Sequence, residues 1–175
     1  MSESTKNIIE FTLIYNQHKT KIYNYARKMV GDKMLCEDII QNVFVKFFEN
    51  MNRIRNSGRV EVWLFTTTRN EIYSFYRTKR THVDQFGVLD SDELEIDSSV
   101  KLDEEFEYQE LNELVIKELD KISIEQRDVF LLKEYGGLSY KEISEMMKID
   151  EELVKSRLYK TRQKLIYKLS KVVGF

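Results

Sequence analysis

Residues Ser139–Leu165 read SYKEISEMMKIDEELVKSRLYKTRQKL, and their spacing decides the fold. Ser139 stands three residues before Glu142, the spacing of a reciprocal capping box, and opens a helix expected to bury Tyr140, Ile143 and Met147. Asp150 has the chemistry of an N-cap for a second helix. At about 100° per residue, Val154, Leu158, Thr161 and Leu165 fall in one narrow arc, which must face a core. Glu152, Ser156, Tyr159, Lys160 and Gln163 lie opposite, flanked by Lys155, Arg157, Arg162 and Lys164. Two helices joined by a tight turn, the second one basic, form a helix-turn-helix, with the flanking cations placed for phosphates on either wall of a major groove. Helical hairpins also occur in proteins that never meet DNA, and a solvated surface with an exposed Tyr159 fits this helix as well.

Charge is distributed unevenly around this stretch. From Lys155 to Lys171 there are seven positive side chains and no negative one, although the 175-residue chain carries a net charge of −2. Residues 1–82 hold 14 Lys and Arg against 8 Asp and Glu, residues 83–110 hold 1 against 11, and residues 111–175 hold 13 against 11. Two basic segments therefore flank an acidic one. The acidic strap lacks apolar periodicity at least as far as Ser99, and charge of one sign at this density repels itself, so 83–110 reads as a flexible linker. Such segregation is a frequent footprint of nucleic-acid binding, though a basic stretch alone also fits a solvated helix face.

Composition excludes several classes. With 42% hydrophobic residues over this length, the chain can bury one ordinary core or two small ones. No apolar run approaches the ~18 residues of a membrane span, and the start MSESTKNIIEF has no basic-then-apolar signal, so neither export nor membrane insertion is expected and the location is cytoplasmic. Cys36 is the single cysteine, which rules out an internal disulfide. His18 and His82 stand too far apart in sequence to suggest a metal site, and no cofactor is implied. The acids concentrate in the linker without ligand spacing, so no catalytic residue is assigned and no enzyme is expected.

Helical periodicity runs through both flanks, and with no proline the expected fold class is all-α, two small helical domains at 1–82 and 111–175. Phe11, Ile14, Tyr15, Ile22, Tyr25, Ala26 and Met29 repeat along a first helix that stops at Gly31. Leu35, Ile39, Ile40, Val43 and Phe47 line a second, which Phe44 and Phe48 widen. The polar run NRIRNSGR reads as a loop before a third helix, VEVWLFTTTRNEIYSFYRTKR. Beyond the linker come a helix through Leu111, Leu114, Val115 and Leu119, then one opened by Ser123 and Gln126 at capping-box spacing and closed by Gly136 and Gly137.

These residues carry a resemblance. LSYKEISEMMKIDEELVKSRLYKTRQKL resembles region 4 of the bacterial sigma-70 family. EDIIQNVFVKFFEN resembles the region 2 helix that docks on RNA polymerase, and WLFTTTRNEIYSFYRTKR is similar to the helix that engages the minus-10 element. Their order and spacing resemble the extracytoplasmic-function group, which keeps only regions 2 and 4, and the likeness covers residues 10–82 and 111–170. It implies a transcription initiation factor with core RNA polymerase, promoter DNA and an anti-sigma factor as partners. A stand-alone helix-turn-helix regulator is the other reading, but 1–82 lacks the parallel-sheet pattern of a receiver domain.

Roles follow from the resemblance at matching positions. Asp38, Gln41 and Asn42 are implied to touch the polymerase clamp, with Asn42 replacing the family's usual Glu. Asn56, Ser57 and Arg59 fall on the segment that captures a flipped minus-10 base. Arg69, Arg77, Lys79 and Arg80 are expected phosphate contacts, while Trp63, Phe65, Tyr73 and Tyr76 divide between base stacking and core. Thr66 and Ser74 replace a frequent Arg and Asp. In region 4, Lys155, Ser156, Tyr159 and Lys160 match positions that read the minus-35 element. Lys148 replaces the usual Gly of the turn, and Glu151 and Glu152 bring acids close to DNA, where Glu152 either repels phosphate or accepts from a cytosine amino group.

Overall fold

Seven helices and no strand are found among the residues that the structure, a computed structural model, describes, 1–86 and 104–174. They divide into two compact units, one holding the first three helices and one the last four.

In the first unit, α1 (Glu3–Val30), α2 (Lys33–Asn56) and α3 (Val60–Phe86) all pack against one another. Ser2 caps α1 by accepting from the Thr5 amide, and Gly31 ends it at φ 67°, a backbone region that an L side chain resists. Asp32 then caps α2 through the Leu35 amide. The core is aromatic: Phe47 is fully buried, with the Phe11 ring 6.2 Å away and the Trp63 ring 5.9 Å away. Ion pairs Glu10–Arg55, Lys21–Glu61 and Lys46–Glu71 tie the three helices at the rim, each exposed enough to contribute only about 0–1 kcal/mol.

The expected loop NRIRNSGR is mostly helix. Met51 and Ile54 continue the buried stripe of Val43 and Phe47, so α2 runs on to Asn56 and the connection shrinks to Ser57–Arg59. The expected linker at 83–110 shortens from both ends as well, since α3 reaches Phe86 and α4 starts at Glu104. The remainder of the strap lies outside the described residues.

In the second unit, α7 (Glu151–Val173) packs against α4 (Glu104–Leu119), α5 (Ile124–Glu134) and α6 (Tyr140–Met147). The capping box at Ser139 and Glu142 is complete in both directions. At Ser123 only one half forms, because the Gln126 side chain turns away to accept from Lys164 at 3.0 Å. Asp150 occupies the N-cap position of α7 without a side-chain bond; its carbonyl accepts from Leu153 and Val154 at 3.1 Å. Of the two adjacent methionines, Met146 is buried and Met147 half-buried, the reverse of the expected order; both sit on the apolar stripe, and packing chose between them.

Lys148 ends α6 in the left-handed region, φ 54° and ψ 48°, the single non-glycine with positive φ among the described residues. That conformation costs a β-carbon roughly 1–2 kcal/mol, of which glycine's freer unfolded chain takes back about 0.5–1. Lys148→Gly is therefore expected to raise the melting temperature of this unit by a few degrees, read by circular dichroism. An unchanged or lower melting point would contradict it.

Candidate functional site

The register of α7 is the one periodicity demanded. Val154, Leu158, Thr161 and Leu165 are all buried, from 0% to 5% exposed. Thr161 is polar yet fits this arc because its hydroxyl donates to the Arg157 carbonyl at 2.7 Å, with the Gln126 carbonyl 3.4 Å away. Glu152, Tyr159, Lys160 and Gln163 consequently point to solvent, and Ser156 is half-buried beside them. Tyr159, at 64% exposed, presents a large ring that no core contact explains.

The flanking cations are organised by neighbouring helices. Arg162 forks onto one carboxylate oxygen of Glu134 on α5, its Nε donating at 2.8 Å and its second nitrogen to the same oxygen. Lys164 reaches Gln126, and Lys155 pairs with Glu152 at 3.3 Å. Arg157 is half-buried on the opposite flank. Glu134 and Glu152 are solvent-exposed, so their ion pairs contribute only about 0–1 kcal/mol each. Glu151 and Glu152 stand in the first turn of α7, where the helix dipole stabilises them.

On the first unit, a cleft of about 960 Å³ opens beside α2. Asp38 and Gln41 line it, both exposed, together with Glu37 and Glu49 and an apolar floor that includes Val45 and Phe48. Val45 is 52% exposed and Phe48 46%, although Phe48 meets Phe11 edge-on at 5.2 Å. Asn42 is exposed but does not line the cleft. Glu37, Val45 and Glu49 were not singled out in the sequence, where Phe48 was placed only as a widening of the apolar stripe. The signal for Phe48 was available: Val43, Phe44 and Phe47 already fill the stripe, which leaves a further aromatic at its edge.

The expected minus-10 residues are spread along the α2–α3 connection and α3. Asn56 is the last helical residue of α2 and is exposed. Ser57 caps that helix, its hydroxyl donating to the Ile54 carbonyl at 2.5 Å and accepting from the Arg59 amide at 3.3 Å, so its proton is committed to the turn. Arg69 is half-buried, its guanidinium 4.3 Å from the centre of the Tyr73 ring, one turn on. Arg77 and Lys79 are exposed further along α3; Arg80 lies on the same helix, and its side chain falls outside the described residues. Of the four aromatics, Phe65 is fully buried, Trp63 packs on Phe47, and the Tyr76 hydroxyl donates to the Met29 carbonyl. Tyr73, under Arg69, is left as the aromatic with a cationic cap.

Among the described residues no group of three His, Cys, Asp or Glu side chains is placed to hold a metal ion, and no helix is long and apolar enough to cross a membrane. Cys36 is fully buried, and that burial pushes its thiol up to about 11, away from nucleophilic use.

Two family models match the chain, sigma-70 region 2 over residues 14–82 and sigma-70 region 4 over residues 112–165, between them most of its length. The chain is similar to the RNA polymerase sigma factor SigZ of Bacillus subtilis (strain 168), 28% identical over 152 residues that cover 87% of this chain and 82% of that one. The ECF RNA polymerase sigma factor SigM of the same organism is 29% identical, with 87% and 90% covered. Among solved structures, the sigma factor RpoE in its co-crystal with the anti-sigma factor NepR from Bartonella quintana is similar at a TM-score of 0.73 and 23% identity, covering 97% of this chain and 98% of that one. CnrH in complex with the cytosolic domain of CnrY gives a TM-score of 0.63 at 18% identity, with 92% and 88% covered.

Proposed function

The chain belongs to the sigma-70 family, in its extracytoplasmic-function group, and from that membership we propose how its surfaces bring core RNA polymerase to promoters. The carrying observation is the register of α7: with Val154, Leu158, Thr161 and Leu165 inward, a face bearing Tyr159 and Lys160 is left for DNA. That face enters the major groove at the minus-35 element. Ser156, Tyr159 and Lys160 come near base edges, Glu152 lies at the groove entrance, and Lys155, Arg157, Arg162 and Lys164 meet phosphates.

The acidic and apolar cleft beside α2 docks on polymerase. Asp38 and Gln41 pair with basic and polar groups of the clamp, while Val45 and Phe48 supply apolar contact; Asn42 contributes at the margin. At the minus-10 element, Asn56, Ser57 and Arg59 hold the captured base, and Arg69, Arg77, Lys79 and Arg80 follow the phosphates along α3. Residues 1–82 and 111–175 act as the two binding domains, with the acidic segment as their linker. The protein works in the cytoplasm as an initiation factor without catalytic chemistry of its own. Because RpoE was crystallised with the anti-sigma factor NepR, an anti-sigma factor is proposed as a partner here too. A stand-alone helix-turn-helix regulator would have no use for a region 2 unit.

Run-off transcription on genomic fragments tests this reading. Core polymerase supplemented with the chain should start at discrete sites that core alone ignores. Equal initiation on every template with and without the chain would overturn it.

A further inference from the structure

Tyr140 is the first residue of α6, and its ring lies where side chains from α5 and α7 converge. The Lys133 ammonium of α5 is 4.4 Å from the ring centre, and the Lys155 ammonium of α7 is 5.6 Å from it. Both distances fall within the roughly 6 Å over which an aromatic face attracts a cation. Lys133 is fixed from a second side, donating to the Leu138 carbonyl at 3.2 Å. Lys155 is steered by Glu152 as well. Among the described ion pairs none includes Lys133, and Lys155 pairs with Glu152, so two ammonium groups with one described ion pair between them share one neutral ring. Like charges gathered in this way repel until an anion joins them, and phosphate, which a compact ammonium binds as a point charge, is the anion at hand beside a DNA-reading helix.

We infer that Tyr140 is a positioning residue whose ring holds Lys133 and Lys155 together as a double cation for the DNA backbone next to the minus-35 groove. The inference rests on the reading that α7 enters that groove, and it adds Lys133, on a different helix, to the phosphate contacts. It also assigns the Tyr140 ring a role beyond packing, since the ring is half-buried and both ammonium groups lie within cation–π reach of it.

The test uses the full chain bound to core polymerase and a labelled promoter duplex, with affinity measured over a range of salt. Lys133→Gln keeps the stem and a donor for the Leu138 carbonyl but removes the charge; alone it should lower the salt slope by about one unit, and with Lys155→Gln by about two. Tyr140→Leu should weaken binding about 3- to 10-fold at moderate salt and lower the slope by at least about one unit, whereas Tyr140→Phe, which keeps the ring, should retain the parent slope. In the Tyr140→Leu background the two glutamines should change affinity less than about twofold further. A Tyr140→Leu protein that binds less but keeps the parent slope, a Tyr140→Phe protein that behaves like it, or a Lys133→Gln protein with the parent slope would each overturn the inference. Thermal melting checks that Tyr140→Leu is folded; if it is not, the Lys133→Gln slope decides alone. A parent complex with no minus-35 dependence would instead overturn the reading of α7, and this inference with it.

Discussion

Replacing Leu158 with alanine is expected to remove about 2–5 kcal/mol from the stability of the second unit, the cost of a cavity beneath α7. Leu158 is 1% exposed and sits mid-arc between Val154 and Thr161, both fully buried, so few neighbours can shift to fill the gap. A unit of this size has a total stability of only about 0.05–0.15 kcal/mol per residue, and a loss on that scale is a large share of it. Melting should fall by about 10 °C or more. The functional consequence follows from the same residue: α7 loses its seat, so initiation should no longer distinguish an intact from a scrambled minus-35 element. Melting at the parent temperature, with minus-35 dependence kept, would show that the arc does not hold the helix.

The second large effect concerns polymerase. The double variant Asp38→Arg with Gln41→Ala is expected to bind core about 100-fold more weakly, a loss of about 2.7 kcal/mol, because it places a positive charge in the acidic cleft proposed to dock on basic groups of the clamp. Glu37 and Glu49 line the same cleft, so the reversal sets a cation among its remaining carboxylates. Both altered residues are exposed and make none of the described ion pairs, so folding and melting should stay at parent values. Binding at parent strength would remove the docking assignment. Weaker binding accompanied by a lower melting point would assign the effect to folding.

The two effects differ in how far they could be foreseen. The inward arc of α7 follows from residue period alone, because successive side chains of a helix are set by backbone geometry within one turn. The same local logic made the caps at Ser139 and Gly31 legible, and the opposition of two basic segments to an acidic one needs only counting. The cleft proposed for docking was half legible. Asp38 and Gln41 stood out as polar positions on an apolar helix, but the apolar floor at Val45 and Phe48 emerges only once α1 covers part of the stripe and stops short of the rest.

Sequence by itself determined seven helices in outline, their grouping into two units and the inward faces of the first, second and last, since hydrogen bonding within a helix and burial of a periodic stripe are fixed by neighbours three and four residues away. Tertiary structure alone decided which polar partners meet. Arg162 finds Glu134 across 28 residues, and Lys164 takes Gln126 across 38, away from the capping box it was placed to close. Lys133 and Lys155 meet on Tyr140 because α5, α6 and α7 bring three distant turns together. The choice of Met146 over Met147 belongs to the same class. Each depends on the distance and angle between helices, which are set by how whole side-chain surfaces interlock and leave no mark in the period of any one helix.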